Sequence, residues 1–390
     1  MYKIQTLNNI SVAGLDRLPR GVYEVASEVQ SPDAIILRSY KMHDMEVPES
    51  VRAIGRAGSG VNNIPVEKFS RLGVPVFNAP GANANAVKEL VLAGMLLAAR
   101  NLCPAWEFTR QLEGDDKALN QQVEQGKKQF VGYELSGKTL GIIGLGAIGV
   151  RVANAAIALG LKVVGFDPTM TVSRAWQLSS DVVQATGVDD VLVQSDFVTF
   201  HVPLTDETRN MVNKARFANV LKSGVVLLNF ARDGIIDEEA LCEALAQGKV
   251  HAYICDFPSN RLKNINNVVA LPHLGASTKE AEDNCAVMVA DQIKDYLENG
   301  NIKNSVNFPG VRMRRNGGHR MTVANANVPN MVGQVSTLLA EAKLNILDLI
   351  NQSKAEVAYT IIDVGAPIPA ATAAAINEIE GVLAVRVLSS

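Results

Sequence analysis

Three glycines with the spacing Gly-x-Gly-x-x-Gly, at Gly144, Gly146 and Gly149, form the pattern with the clearest chemical meaning in this 390-residue chain. Between a strand and a helix, the first glycine permits a tight turn and the second lets backbone approach a pyrophosphate. The third lets the helix pack on the strand. The phosphates then lie at the helix N-terminus, which begins with Ala147 and Ile148. The spacing predicts a dinucleotide site.

The segments around these glycines have the order that such a site needs. The apolar run 139–143 reads as a strand, the glycines open a helix, and a second apolar run ends at Asp167. A carboxylate there accepts hydrogen bonds from the adenosine ribose hydroxyls and repels a 2'-phosphate. The sequence therefore predicts NAD as the cofactor, in preference to NADP.

Strand and helix patterns alternate from about residue 138 to residue 272, which predicts a parallel sheet with helices on both faces, a Rossmann-like α/β domain. A smaller α/β pattern occupies residues 1 to about 90. Such sheets bind ligands at the carboxyl ends of their strands. His201, Arg232 and Asp256 each lie at or just after a predicted strand end.

The pattern changes after residue 276. Ser277 and Glu280 have the spacing of a capping box, which predicts a helix running to about residue 299. Residues 299–320 read as a linker whose basic residues could contact a phosphate or a neighbouring subunit, although a solvated connector is favoured. These basic residues are Arg312, Arg314 and Arg315. The last 70 residues predict a ferredoxin-like βαββαβ order.

Composition excludes several classes of function. A net charge of -3 gives no electrostatic footprint for nucleic acid or an anionic membrane. The longest apolar run, residues 90–99, is too short to span a bilayer, and the N-terminus lacks a signal-peptide pattern. The cysteines are far apart in the sequence, without a C-x-x-C pair, so no metal site or disulfide framework is expected. We expect a cytoplasmic protein.

Six segments in a fixed order resemble the D-2-hydroxyacid dehydrogenase family, and nearly the whole chain takes part in the resemblance. They are AGSGVNNI (57–64), NAPGANANAVKELVLAGMLLAAR (78–100), GLGAIG (144–149), HVPLTDETRNMV (201–212), LNFARDGIIDEEAL (228–241) and LPHLGAST (271–278).

The resemblance implies four parts of the chain. A flavodoxin-like, discontinuous substrate-binding domain would comprise residues 1–94 and 274–300. An NAD-binding domain would comprise residues 95–273, followed by a linker at 301–318. Residues 319–390 would form an ACT domain, which is usually regulatory or oligomerising.

The resemblance also implies two catalytic residues. Arg232 would clamp the substrate carboxylate with its planar guanidinium, which a lysine could not do with the same geometry. His273 would take the hydroxyl proton during oxidation and return it during reduction, because an imidazole changes charge near neutral pH.

The family adds a Glu that orients the His, and here the chain departs from the family. The position that aligns best holds Arg261, and no Asp or Glu occurs between Asp256 and Glu280. A cation there would disfavour the protonated imidazole. An acid supplied elsewhere by the fold, an unassisted base with a reduced rate, an impaired site and a different local alignment all stay open.

Other site residues come from the resemblance alone. Asp256 would hold the nicotinamide carboxamide. The remaining positions lining the NAD site would be His201, Phe230, Ala231, Arg232, His273 and Gly275. The substrate phosphate would be bound near Arg38, Ser39, Gly58, Ser59, Gly60 and Asn83, and an Arg with backbone and hydroxyl donors suits a phosphate.

Serine-sensing members of the family use one His and two Asn in the ACT domain. In this chain the three positions hold Asn325, Asn327 and Asn345, and Asn330 replaces a Gly that usually follows Pro329. Inhibition by L-serine and a purely structural ACT domain that pairs subunits both stay open.

The resemblance implies oxidation of D-3-phosphoglycerate to 3-phosphohydroxypyruvate with NAD, at the entry to serine synthesis, by a homodimer or homotetramer. One alternative is a dehydrogenase for another D-2-hydroxy acid, such as a 2-oxoglutarate reductase. A second, motivated by Arg261, is a catalytically impaired protein that senses NAD or an amino acid.

Overall fold

The computed structural model describes residues 1–388. The chain divides into two compact units, one formed by residues 1–83 together with the segment from 279 onward, and one formed by residues 84–278. The first is called the substrate unit below and the second the cofactor unit. The four-part division made from the sequence stays a prediction.

The N-terminal part of the substrate unit is a five-stranded parallel sheet with the flavodoxin-like order β2-β1-β3-β4-β5. The residues of β3 are all buried, as expected for a strand covered on both faces. The elements are β1 (Tyr2–Leu7), α1 (Val12–Leu15), β2 (Tyr23–Ala26), β3 (Ala34–Leu37), β4 (Ala53–Arg56), α2 (Val66–Arg71) and β5 (Val76–Phe77).

The cofactor unit is built on a seven-stranded parallel sheet of order β12-β11-β10-β9-β6-β7-β8, which confirms the Rossmann-like class. The strand order reverses beside β6, where such sheets bind ligands. Its elements are α3 (Ala84–Ala99), α4 (Leu102–Arg110), α5 (Asp116–Gly126), a 3-10 helix (Lys127–Phe130), β6 (Thr139–Ile143), α6 (Ala147–Ala158), β7 (Lys162–Phe166), α7 (Val172–Ala175), β8 (Val183–Gln184), α8 (Val188–Gln194), β9 (Phe197–Phe200), α9 (Lys214–Asn219), β10 (Val225–Asn229), α10 (Glu238–Ala246), β11 (Val250–Cys255) and β12 (Val268–Ala270).

The C-terminal part of the substrate unit begins with a long helix and continues as an antiparallel sheet of order β14-β15-β13-β16. The sequence of elements confirms the expected βαββαβ order. The elements are α11 (Lys279–Asn299), β13 (His319–Ala326), α12 (Met331–Glu341), β14 (Ile346–Lys354), β15 (Val357–Val364), α13 (Ala370–Asn377) and β16 (Val382–Leu388).

Residues 301–318 are packed, so the expectation of a solvated connector is wrong for this segment. Ile302, Phe308 and Val311 are buried in the same apolar core as α11. Arg312 and Arg314 alternate with the buried residues and are exposed. The alternation of apolar and basic residues directs one face of the segment into the core.

The antiparallel sheet is joined to α11 by buried polar contacts. The guanidinium of Arg320 on β13 is fully buried and pairs with both carboxylate oxygens of Asp363 on β15 at 2.7 Å. Its Nη1 also donates to the carbonyl oxygen of Asn299, the last residue of α11, at 3.0 Å. The hydroxyl of Tyr359 donates to the carbonyl oxygen of Gly300 at 2.8 Å. A buried charge needs such a partner, so these bonds fix the sheet on the rest of the unit. No helix in residues 1–388 is long and apolar enough to cross a membrane.

Candidate active site

The turn from β6 to α6 has the backbone geometry that the three glycines predict. Gly144 has a φ of +96°, and a Cβ on it would lie 2.5 Å from the carbonyl oxygen of His201. A Cβ on Gly149 would collide with the carbonyl oxygen of Gly144. Gly146 is the N-cap of α6 and no side chain caps it. The first N–H groups of α6 can therefore donate to an anion, which fits a dinucleotide pyrophosphate.

Asp167 follows β7 and ties this turn to the strand. Its Oδ2 accepts a hydrogen bond from the backbone N–H of Leu145 at 2.9 Å. Its Oδ1 accepts from the N–H and the hydroxyl of Thr169, at 2.8 and 2.9 Å. A carboxylate has roughly four acceptor positions, so acceptor capacity is left for a ribose hydroxyl.

Asp256 follows β11 and offers one unused acceptor. Its Oδ2 accepts from the backbone N–H of Gly275 at 3.0 Å. Its Oδ1 is buried, with no hydrogen-bond partner among the described residues. Burial raises the pKa of Asp256, while the Gly275 N–H and the charge of His273 oppose that rise. A buried acceptor without a donor fits a carboxamide NH2 group.

His273 lies in a strained turn that Asp256 helps to hold. Its φ is +47°, and its backbone N–H lies 3.1 Å from the carbonyl oxygens of both Leu271 and Asp256. Its exposed ring packs edge-on against the ring of Phe257, with 5.2 Å between the two ring centroids. No ion pair of its imidazole occurs among residues 1–388. A positive φ is uncommon for a residue other than glycine, so these backbone contacts hold His273 in a less favoured conformation.

Arg232 is held by a buried asparagine that the sequence analysis did not single out. Asn229, 2% exposed at the end of β10, donates to the carbonyl oxygen of Arg232 at 2.9 Å. Its Oδ1 accepts from the N–H of Ala231 at 3.2 Å. The exposed guanidinium of Arg232 donates to the carbonyl oxygen of Ala231 at 2.6 Å. In the sequence, the feature that could have identified Asn229 is a polar residue at the end of the apolar run VVLLN.

Arg261 lies near α10. Burial raises the pKa of the Cys242 thiol on α10, and the charge of Arg261 opposes that rise. The described contacts include none between Arg261 and His273. The geometry therefore gives no support to a repulsive pair of cations.

His201 follows β9, next to β6 in the sheet. Burial lowers the pKa of His201 to about 3, so the ring is neutral at physiological pH. Its Nε2 lies 3.1 Å from the hydroxyl oxygen of Thr199, and its Nδ1 has no partner among the described residues. Phe230 and Ala231 follow β10 and are buried. The sheet thus brings these three residues to its carboxyl edge.

Two arginines meet at the carboxyl edge of the substrate unit's sheet. Arg38, after β3, pairs with Glu282 of α11 at 2.7 Å. Arg56, at the end of β4, donates to the carbonyl oxygen of Arg38 at 3.1 Å, and its guanidinium packs against Gly58. Burial raises the pKa of the Cys285 thiol on α11, and the charges of Arg56 and Arg38 oppose that rise. The pair suits an anion, and the sequence analysis missed Arg56.

The other predicted substrate residues lie in the loops that follow β3 and β4, or in the turn before α3. Ser39 donates its N–H to Asn8 Oδ1 at 3.2 Å. The carbonyl oxygen of Ser59 accepts from Asn78 at 2.6 Å, and Gly60 follows it in the loop after β4. Asn83 lies in the turn just before α3.

The three predicted effector residues are not brought together within one chain. Asn325 is buried on β13 and donates to the carbonyl oxygen of Ala326 at 2.6 Å. Asn327 donates to Ala355, whereas Asn345 precedes β14. Strand β15 lies between β13 and β14. Asn330, with a φ of +66°, takes the left-handed conformation that Asn tolerates.

Residues 1–388 contain no group of three or more His, Cys, Asp or Glu side chains that could hold a metal ion.

The fold and these sites define the class: the chain belongs to the D-isomer-specific 2-hydroxyacid dehydrogenase family. Residues 92–275 match the model of that family's NAD-binding domain. The cofactor unit is thus an NAD-binding domain.

The chain is also similar to individual proteins that are named for one particular reaction. A D-3-phosphoglycerate dehydrogenase of Methanocaldococcus jannaschii is 35% identical over 336 residues, which are 84% of this chain and 61% of that protein. A D-3-phosphoglycerate dehydrogenase of Haemophilus influenzae is 32% identical over 359 residues, 88% of this chain and 83% of that protein. The crystal structure of NAD+-bound 3-phosphoglycerate dehydrogenase from Entamoeba histolytica has a TM-score of 0.59 and 26% identity, covering 78% of this chain and 98% of that one.

Proposed function

We propose that the protein oxidises D-3-phosphoglycerate to 3-phosphohydroxypyruvate with NAD, in the cytoplasm, as the first step of L-serine biosynthesis. The observation that carries this choice of substrate is the arginine pair Arg38 and Arg56 beside the Gly58 turn. Two guanidiniums and a turn offer the charge-assisted donors that a phosphate group needs. The named D-3-phosphoglycerate dehydrogenases agree with this choice.

The cofactor would be held at three places in its unit. The N-terminus of α6 would donate to the pyrophosphate, Asp167 would accept from the ribose, and the free Oδ1 of Asp256 would accept from the carboxamide. When bound, NAD supplies the nicotinamide that accepts the hydride. The neutral His201 adds no charge beside it.

The reacting groups of the substrate would be held by two side chains. Arg232 would bind the carboxylate with two parallel N–H donors, because its guanidinium is exposed and its backbone is fixed by Asn229. His273 would take the proton from the substrate hydroxyl through its exposed ring.

Asp256 would take over part of the role of the missing Glu. It holds the turn of His273 through its carbonyl oxygen and Gly275 through its carboxylate. The two side chains also interact electrostatically, since the charge of His273 opposes the rise that burial causes in the pKa of Asp256. This is the reason to prefer an active enzyme over an impaired sensing protein.

We propose a homo-oligomer, and an ACT domain formed by residues from 319 onward. The βαββαβ order supports that assignment. An L-serine site built from Asn325, Asn327 and Asn345 would need a second subunit, because β15 separates the strands that carry two of them.

Initial rates of NADH oxidation test the function, with 3-phosphohydroxypyruvate, 2-oxoglutarate and pyruvate as substrates and with or without L-serine. We expect a clear preference for the phosphorylated substrate. A preference for 2-oxoglutarate would favour the alternative dehydrogenase. Binding of NADH without turnover of any 2-oxo acid would favour the sensing protein.

A further inference from the structure

A second positive group lies against the N-terminus of α6. Arg174 is on α7, in the segment that follows β7. Its Nη1 atom lies 3.2 Å, and its Cζ atom 3.9 Å, from the position that a Cβ would take on Gly146. Gly146 is the glycine at which the backbone approaches a pyrophosphate in this motif. The guanidinium is therefore already placed at the phosphate end of the turn.

The local charges leave this cation without a compensating acid. A helix N-terminus carries partial positive charge, so it favours anions and disfavours cations. No carboxylate oxygen of residues 1–388 lies within ion-pair distance of Arg174. Asp167, the acid at the end of β7, accepts instead from Leu145 and Thr169. An anion between the guanidinium and α6 would satisfy both positive groups.

Packing does not explain the position of Arg174. The side chain is exposed, and no residue of α7 is buried. Two apolar neighbours, Val172 and Trp176, are 75% and 86% exposed. The segment contributes little to the core, so burial does not dictate where the guanidinium lies.

We infer that Arg174 binds the diphosphate of the dinucleotide, from the side opposite the N-terminus of α6. This inference rests on the NAD site proposed above. A guanidinium donates two parallel hydrogen bonds to a phosphate, whereas helix N–H groups donate singly. The diphosphate would then be held by side-chain charge as well as by backbone.

The test measures binding by calorimetry for the wild type, Arg174→Gln and a control, Lys162→Gln. Lys162 is an exposed cation at the start of β7, at the other end of that strand, so both variants lose one charge. The probes are NADH, NADPH, ADP and adenosine. We expect Arg174→Gln to weaken NADH and ADP roughly 10- to 100-fold, as for a lost charge-assisted bond. Binding of adenosine, and all binding by Lys162→Gln, should stay unchanged.

Each other outcome overturns a distinct claim. Equal NADH affinity of wild type and Arg174→Gln would remove Arg174 from the site. Weakening of NADPH alone would place it at a 2'-phosphate, and equal weakening of adenosine would place it at the adenine. A wild-type protein that binds none of the probes would contradict the NAD site itself. Thermal melting of both variants shows whether they fold.

Discussion

The two parallel sheets of this protein share a class of topology but differ at their carboxyl edges, where the cofactor unit has two acids as well as Arg232 and the substrate unit has two arginines. In the cofactor unit, Asp167 and Asp256 follow strands and accept hydrogen bonds from backbone N–H groups of neighbouring turns. In the substrate unit, Arg38 and Arg56 follow strands, and Arg38 pairs with a carboxylate of α11. The acids shape turns and keep acceptor capacity, whereas the arginines present donors.

Under the proposed function, the strand ends, and not the sheet topology, select the ligand group. Ribose hydroxyls and a carboxamide NH2 donate hydrogen bonds, so they fit carboxylates. A phosphate only accepts them when ionised, so it fits guanidiniums. Under the proposed function, two similar sheets therefore serve different ligands, the dinucleotide in the cofactor unit and the substrate phosphate in the substrate unit. Substitutions at the carboxyl edge of the cofactor unit should therefore change different measured quantities from substitutions at the carboxyl edge of the substrate unit.

Replacement of His273 should have the largest effect, because it removes the proposed base. We expect His273→Ala to lower kcat roughly 10²–10⁴-fold, the usual contribution of a positioned general base. NADH binding should stay intact, since Asp167 and the glycine turn are unchanged. Stopped-flow and calorimetric measurements check both. The control is His43→Ala, an exposed histidine of the substrate unit. An unchanged kcat would contradict the assignment of proton transfer to the cofactor unit.

Arg232→Lys tests whether the cofactor unit binds the carboxylate by geometry or only by charge. Lysine keeps the charge but loses the planar pair of donors. We expect kcat/KM to fall roughly 10- to 150-fold, equivalent to about 1.5–3 kcal/mol. Arg216→Lys, which alters a half-buried arginine paired with Asp189, serves as control. Full activity of Arg232→Lys would show that no bidentate contact is made there.

Arg38→Gln tests whether the carboxyl edge of the substrate unit's sheet binds the substrate phosphate. We expect KM for 3-phosphohydroxypyruvate to rise roughly 10-fold, with hydroxypyruvate unaffected, because one charge-assisted bond to the phosphate is lost. Arg17→Gln is a matched control, since Arg17 also pairs with an acid of α11, Asp291, at 2.8 Å. Equal losses on both substrates would mean that Arg38 supports the fold of the unit and does not select phosphate.

Sequence alone predicted the backbone geometry of the turn between β6 and α6, whereas the binding roles of its residues stay predictions. The three glycines and Asp167 could be placed because a strand, a turn and a helix fix their geometry within thirty residues or so. Arg56 and Arg174 were missed because each lies against a neighbour that only the folded chain brings close. Asn229 was missed because its bonds to Ala231 and Arg232 depend on the exact turn that follows β10.

The segment 301–318 was misjudged for a related reason. Its Gly, Asn and Arg content is typical of a linker, but its apolar residues are buried by α11 and the antiparallel sheet. Composition indicates how well a segment tolerates solvent, whereas its burial depends on the apolar surfaces that the rest of the chain presents to it.

The smallest expected effect is on the pH dependence of stability, and it concerns His201, whose neutral ring lies at the carboxyl edge of the cofactor unit's sheet. Burial lowers the pKa of His201 to about 3, so the unfolded chain binds a proton below about pH 6.5 that the folded chain does not. Stability contributed by the neutral ring is therefore complete above pH 6.5 and is lost as pH falls toward 3.

Relative to His201→Gln, the wild type should lose about 1.4 kcal/mol of unfolding free energy between pH 7.5 and pH 5.5. Urea unfolding followed by circular dichroism at the two pH values measures this difference. His251→Gln, on β11 of the same sheet, controls for the loss of a histidine. If both variants respond to acid as the wild type does, His201 is protonated in the folded protein, and the carboxyl edge of the cofactor unit carries a further cation besides Arg232.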